Sequence, residues 1–537
     1  MSRFICNPIL PGFNPDPSIV RVNEDYYIAT STFEWFPGVQ IYHSRDLVHW
    51  ELIARPLNRL SQLDLRGVPD SCGVWAPCLS YSNDTFFLVY TNVKTVKGIW
   101  RDMHNYLVTT EDIRGDWSEP VYLNSIGHDP SLFHDDDGRK WVLNTEWAYI
   151  KGKNVFNGIV IQEYDHKQKT LIGERRNIFK GTERGFTEGA HLYKRNGYYY
   201  LLTAEGGTWY NHCITMARSR EIFGPYEIHP ENPLLTSKDH PETPLQKAGH
   251  GDLVETQNGE WYLVHLCGRP ITKDRRCVMG RETAIQKVMW VDNGWLYLNN
   301  FAEGPSVKVE APQLPEFAIP ATPTRIEFDR DELDLSFQTL RIPLPEDLMS
   351  LQERKGFLRL KGRESLASLN LQSLVARRQQ SFCYTAETAL EFSPDSSRHL
   401  AGLVVYYNTD NYYYLSFSCN DLIGKNLRII TCNKGETNEP TGLGVPLRDI
   451  SRVALRIVVN QEKGQFYYST DEIHWQQIGA ELDMSKLSDD FIAGKAFTGT
   501  FIGLCCQDLS GDGKYADFDY FEYQELDSIE TCRYEQA

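Results

Sequence analysis

The sequence has no excess of positive charge. It carries 55 Lys and Arg against 72 Asp and Glu, a net charge of −17. Such a chain repels a phosphate backbone and an anionic lipid surface, which argues against nucleic acid and membrane as partners. No apolar run approaches the roughly 18–20 residues of a membrane span. The start, Met1-Ser2-Arg3-Phe4-Ile5-Cys6, lacks a basic segment followed by an apolar stretch of about 7–15 residues, the pattern of an export signal. None of the 12 cysteines, from Cys6 to Cys532, forms a C-x-x-C pair of metal-site spacing, and Cys505 and Cys506 are adjacent. In a chain of this size without an export signal, such cysteines read as reduced thiols in a cytoplasmic protein. Stretches of helical period are few. Disorder is excluded as the main theme, because 41% of residues are hydrophobic and only 24% are charged.

Aromatic residues are plentiful: 29 Tyr, 25 Phe and 12 Trp. They favour strands, and their flat faces suit sugar rings. Five short aromatic strands begin at Tyr26, Phe86, Trp141, Tyr199 and Trp261, so successive units are separated by 60, 55, 58 and 62 residues. Each follows a turn signal, such as Asp135-Asp136-Asp137-Gly138, Arg195-Asn196-Gly197 or Gln257-Asn258-Gly259, that supplies the positive φ of a tight hairpin. Another short strand precedes each turn, as in Pro17-Ser18-Ile19-Val20 and Pro130-Ser131-Leu132-Phe133. Each unit has room for four strands, and five four-stranded units arranged radially make a five-bladed β-propeller. A linear solenoid is the alternative, but its repeats are shorter, about 20–50 residues.

The propeller is expected over residues 1–304. Residues 305–324 contain Pro305, Pro312, Pro315, Pro320 and Pro323 and read as a semi-rigid linker. Residues 325–537 show alternating strands such as Val453-Ala454-Leu455-Arg456-Ile457-Val458-Val459, with turn signals every 8–15 residues. That is an antiparallel β-sandwich of the concanavalin-like jelly-roll kind, so the whole chain is expected to be all-β.

In a propeller the innermost strands line a central channel, and their starts converge on its axis. Aligned on the aromatic strands, the blades begin after Asp16, Ala76, Asp129, Glu188 and His250. Any one of these acids alone reads as an ordinary turn residue on the rim. Three carboxylates in register read as a site, because like charges are costly to gather without a function or a cation. Paired carboxylates around a sugar suggest glycoside hydrolysis, one giving a proton to the leaving oxygen and the other acting as base or nucleophile. Residue chemistry alone does not say which acid takes which role.

The segments Asn14-Pro15-Asp16-Pro17-Ser18, Val74-Trp75-Ala76-Pro77, Gly127-His128-Asp129-Pro130-Ser131, Thr187-Glu188-Gly189-Ala190 and Gly280-Arg281-Glu282-Thr283, in this order and at blade spacing, resemble glycoside hydrolase family 43. The similarity is to its two-domain β-xylosidases, some with α-L-arabinofuranosidase activity, and it spans essentially the full chain. It implies an inverting, exo-acting enzyme that needs no cofactor for its chemistry and takes small oligosaccharides. It also implies a homo-oligomer, dimer or tetramer. By the same resemblance Asp16 is the general base, Glu188 the general acid, and Asp129 the residue that orients the acid and keeps it protonated. Arg281 binds substrate hydroxyls or the base. His250 lies in the channel and in relatives can ligate Ca²⁺, although calcium prefers oxygen ligands. Phe33 and Trp75 are expected to wall the pocket rather than pack in a core, and Phe497 or Phe501 of the sandwich is expected to cover it. Two other readings carry less of the sequence. A retaining fructosidase lacks support, since no Arg-Asp-Pro or Glu-Cys pair is present. A non-catalytic carbohydrate-binding protein leaves the clustered carboxylates unexplained.

Overall fold

The computed structural model describes residues 3–526 apart from Asn300, Arg448 and Lys495. It is almost wholly β, and no helix among the described residues is long and apolar enough to cross a membrane.

Five antiparallel sheets follow one another along residues 18–298. Blade I is built from Ser18–Val22, Asp25–Thr30, Gln40–Ser44 and Glu51–Ala54. Blade II is Gly73–Ser82, Thr85–Thr95, Asp102–Thr110 and Val121–Asn124. Blade III is Ser131–His134, Lys140–Trp147, Phe156–Asp165 and Thr170–Phe179. Blade IV is Glu188–Arg195, Tyr198–Glu205 and Cys213–Ser219, with the short Glu227–Ile228 and Leu235–Thr236 outside them. Blade V is Gln246–Glu255, Trp261–Gly268, Glu282–Trp290 and Leu296–Leu298.

The second strand of every blade is apolar on both faces because each face meets a different neighbour. Tyr26 and Ile28 pack against Tyr262 and Val264 of blade V, while Ala29 packs towards Leu79 and Leu88 of blade II. Phe87 and Val89 join Leu132 and Val142 of blade III; Trp141 and Leu143 join Leu192 and Leu201 of blade IV; Leu202 joins Leu253 and Leu263 of blade V. Alternate residues of a strand point to opposite faces. The period-2 chain therefore fills five inter-blade cores, which close the ring.

Each blade is a sheet of its own, so closure comes from elsewhere. Asp252 of blade V accepts from Ser18 Oγ at 3.0 Å and Ile19 N at 2.8 Å in blade I. Phe4–Cys6 pairs with Lys308–Glu310, and Val309, Ala311 and Leu314 are buried in the core between blades V and I. The first half of the Pro-rich stretch thus clasps the propeller.

The remaining strands form two packed sheets around a large apolar core. The propeller reaches into this sandwich. Trp35–Phe36 pairs with Phe337–Leu340 as the edge strand of one sheet. A second core, with Phe13, Phe33 and Trp35 from the propeller and Leu374, Val404 and Phe501 from the sandwich, joins the two domains.

Candidate active site

The start of every innermost strand carries a kink. Asp16, Ala76, Asp129, Gly189 and His250 all have φ between +37° and +58°. Asp16, Ala76, Asp129 and Gly189 each lie two residues before the residue that begins or resumes the ladder with the second strand, Ser18, Cys78, Ser131 and His191, and His250 lies one before Gly251. The register therefore runs through Gly189, and Glu188 stands one residue earlier than the sequence alignment puts it. Chemistry explains the offset. A Cβ on Gly189 would lie 2.9 Å from the His250 ring, so this position favours glycine on both space and backbone conformation. The longer Glu188 reaches the cavity from the neighbouring position.

The kinks bring Asp16, Asp129, Glu188 and His250 to one cavity of about 230 Å³, with Arg281, Phe33, Trp75 and Phe497. The three acids are all buried. Asp16 accepts from Arg281 Nη1 at 2.9 Å and from Ser31 Oγ at 2.7 Å, and Ser31 Oγ in turn accepts from Ala76 N at 2.7 Å. Burial alone would push the Asp16 carboxyl up, but Arg281, His250 and Ser31 together outweigh it and hold it below the usual carboxylate range. Asp16 is therefore a carboxylate at neutral pH.

Among the described residues, the other two acids have no Lys or Arg in ion-pair contact. Glu188 Oε2 lies 3.0 Å from His128 Nε2, and ligand atoms of His128, Asp129 and Glu188 all fall within 4.8 Å of one another. Burial pushes the Asp129 carboxyl above its ordinary range; His128 and His250 pull it down, while Glu188 and Asp16 push it up. His250 Nδ1 stands 3.9 Å from Asp16 and 4.0 Å from Asp129, and burial holds this ring below its ordinary pKa against the pull of both acids.

The roof is aromatic. Phe33, Trp75 and Phe497 are mutual neighbours, with ring centroids 5.7–6.4 Å apart, and Trp209 stands 6.1 Å from Phe497. Phe497 belongs to the sandwich. Its carbonyl accepts from Arg281 Nη2 at 3.2 Å, and its N–H donates to Ser71 Oγ at 3.0 Å. Phe501 is buried and stacked on Trp35 at 3.6 Å, away from the cavity, so Phe497 is the covering residue.

Several lining residues were not legible as such. His128 sits inside a motif that draws attention to its neighbour Asp129. Trp147 ends an aromatic strand that otherwise reads as core. Arg101, Phe186, Thr208 and Trp209 come from loops with no repeat register, and Phe156 opens the third strand of blade III. The Gly206-Gly207 pair before Thr208-Trp209 is the one local signal of a chain brought close to something.

A calcium site at His250 does not follow from these residues. Among the described residues, the groups of ligand atoms close enough to share an ion are His128/Asp129/Glu188 and Asp395/His399/Asp512, and neither contains His250. In the first, both His128 nitrogens are engaged, by Glu188 and by Trp147 Nε1 at 2.9 Å.

A propeller whose channel gathers one carboxylate paired with arginine and two beside histidine rings beneath an aromatic roof defines a glycosidase-type site. Residues 5–296 match the family described as Glycosyl hydrolases family 43, and residues 325–524 match the Beta xylosidase C-terminal Concanavalin A-like domain. The chain belongs to glycosyl hydrolase family 43. It is 52% identical to a Beta-xylosidase from Bacillus subtilis (strain 168), over 97% of this chain and 99% of that one. It is also 52% identical to Xylosidase/arabinosidase 43B from Humicola insolens, over 97% of each chain. It is 47% identical to a Xylan 1,3-beta-xylosidase from Vibrio sp, over 98% of this chain and 100% of that one. The crystal structure of xylan beta-1,4-xylosidase from Bacillus Halodurans C-125 is similar with a TM-score of 0.96 and 54% identity, covering 97% of this chain and all of that one.

Proposed function

We propose that the chain is an inverting exo-glycosidase that releases D-xylose from the non-reducing end of β-1,4-xylo-oligosaccharides, with α-L-arabinofuranosidase side activity. The observation that carries this reading is the unequal setting of two buried carboxylates on one covered cavity. Asp16, kept ionised by Arg281, takes a proton from the attacking water. Glu188, in contact with the His128 ring, gives a proton to the leaving oxygen. The C–O bond breaks as the new bond to water forms, so atoms and protons balance across the pair. Asp129, with its raised pKa, sits between them and orients the acid. Phe33, Trp75 and Phe497 supply apolar faces for one terminal sugar, and cover by a residue of the second domain favours chain ends over an internal groove.

The test is hydrolysis of para-nitrophenyl β-D-xylopyranoside and the α-L-arabinofuranoside, with the anomer of the first product read by NMR. α-Xylose is expected. β-Xylose overturns inversion, and tight xylobiose binding with no cleavage supports a binding protein instead. The Vibrio relative makes β-1,3-xylobiose the necessary companion to β-1,4-xylobiose, and faster cleavage of the 1,3-linked sugar overturns the proposed linkage.

We place the enzyme in the cytoplasm, a location supported by a covered cavity that suits short imported sugars rather than polymer. We also propose a homo-oligomer, dimer or tetramer. Ile99, Trp100 and Ile150 are each more than half exposed and, with Tyr149, form an apolar patch beside the cavity mouth, the kind of surface that association covers. Light scattering that gives a single-chain mass overturns it.

A further inference from the structure

We infer that the indole of Trp147 locks His128 as its neutral Nε2–H tautomer, and that this lock decides which oxygen of Glu188 carries the acidic proton. The inference rests on the reading of Glu188 as the acid. An indole N–H only donates. Trp147 Nε1 lies 2.9 Å from His128 Nδ1, so Nδ1 must offer its lone pair and the single ring proton must sit on Nε2. Nε2 is 3.0 Å from Glu188 Oε2, and that oxygen therefore accepts. When Glu188 is protonated, its hydrogen is on Oε1, the oxygen left to meet the substrate.

The lock has a second consequence. His128 is surrounded by groups that favour a charged ring. Asp129 Oδ2 is 3.9 Å from Nε2, and Glu188 is in contact. Burial and Arg101, whose guanidinium lies 5.2 Å over the Trp147 ring, act in the opposite direction. His250 and Asp16 stand across the cavity and do not touch His128. The ring faces around it belong to Trp75, Trp147 and Phe156, with centroids 5.8–6.0 Å away, and carry no charge. The balance of charges leans towards imidazolium. What opposes it is geometric: a second ring proton would point at the Trp147 N–H. A charged His128 would hold Glu188 as a carboxylate and leave the leaving oxygen without a donor. Trp147 and His128 are thus positioning residues for the acid, beyond any contact Trp147 makes with a sugar.

Removing the lock should damage acid catalysis and spare the rest. In Trp147→Phe the ring stays and the N–H goes. Cleavage of xylobiose, whose leaving sugar needs a proton, is expected to fall about tenfold, a part of the roughly 10²–10⁴-fold a general acid supplies. Turnover of 2,4-dinitrophenyl β-D-xyloside, whose leaving group needs none, should change less than about threefold. The alkaline limb of kcat/KM for xylobiose should move about one unit to lower pH, within the range that a nearby opposite charge produces. His128→Gln keeps a donor to Glu188 and has no second protonation state, so it should hold the alkaline limb in place, and Trp147→Phe added to it should no longer move that limb. An equal loss on both substrates, or an unmoved alkaline limb in Trp147→Phe, overturns the lock and leaves only packing or sugar binding. Glu188→Ala separates the two claims. If it does not spare the dinitrophenyl substrate, the acid assignment itself fails; if it does while Trp147→Phe has no selective effect, the lock alone fails.

Discussion

The two ends of the catalytic cavity hold the same functional group in opposite surroundings. At the base end, Asp16 has a guanidinium at 2.9 Å and a hydroxyl at 2.7 Å. At the acid end, Glu188 has a histidine ring at 3.0 Å, and among the described residues no Lys or Arg is in ion-pair contact with it. Position in the blades brings the acids together; the neighbours assign their work. The general lesson is that carboxylates made alike by a repeat are told apart by the non-repeating residues that touch them.

The sharpest way to break this comparison is to delete each acid and vary the leaving group. Asp16→Ala should lose about 10²–10⁴-fold or more on every substrate, because no leaving group replaces the attacking base. Glu188→Ala should lose as much on xylobiose and far less on 2,4-dinitrophenyl β-D-xyloside. Identical leaving-group dependence in the two variants would mean that the surroundings do not divide the roles.

Arg281 tests the base end by itself. It contacts Asp16 with one nitrogen and the Phe497 carbonyl with another, a fork that lysine cannot reproduce. Arg281→Lys should cost about tenfold to a hundredfold in kcat/KM, near the roughly 1.5–3 kcal/mol of a charge-assisted hydrogen bond. Arg281→Met should also move the acidic limb of the pH profile to higher pH. Asp16 must be ionised to act, and without its cation burial raises its pKa. A limb that stays in place would remove Arg281 as the source of the low value.

The same contrast between repeat and non-repeat explains what the sequence reveals. Five aromatic strands at a regular period disclose the propeller because each must be apolar on both faces. Asp16, Asp129 and His250 are legible because the kink recurs at one register. Glu188 escapes that register by one residue, since the kink there belongs to Gly189 under the His250 ring. His128, Trp147 and Ser71 are not legible at all. Their work depends on which loop ends meet in space, and no period encodes that. The clasp formed by residues 308–310 is hidden for a related reason: proline content suggests an extended chain but not what it lies against.

Floor and roof of the cavity offer a gentler comparison. The acids of the floor all come from the propeller, whereas the aromatic roof spans both domains and is tied at Ser71. Ser71 accepts from the Phe497 N–H through its Oγ and from Trp75 Nε1 through its carbonyl. Ser71→Ala cuts the link to the sandwich and keeps the link to Trp75. One neutral hydrogen bond is worth about 1 kcal/mol, so KM should rise roughly fivefold with kcat little changed. A fall in kcat with KM constant would mean that the roof acts on the chemistry rather than on holding the sugar.

Behind the roof, Glu34 should report on stability and leave catalysis almost untouched. It is fully buried at the domain junction, accepts from Ser71 N at 3.0 Å, and has a second oxygen, Oε1, without a hydrogen-bond partner. Burial, reinforced by Asp70 and opposed by Arg341, pushes its pKa from 4.5 up to about 8. The sign follows from linkage. A carboxyl that prefers its proton in the folded chain gives its full stabilisation below the ordinary value and loses it progressively as pH rises to about 8. Glu34→Gln keeps an acceptor for Ser71 and removes the charge. It should melt about 2–4 °C above the parent at pH 8, the shift that roughly 1 kcal/mol gives in a unit of about 200 residues. The gap should close by pH 5, where both side chains are neutral. Thermal unfolding from pH 5 to 8.5 reads this directly. A difference that does not change with pH would show that Glu34 is already ionised in the folded protein, and that the junction tolerates a buried charge as the base end of the cavity does.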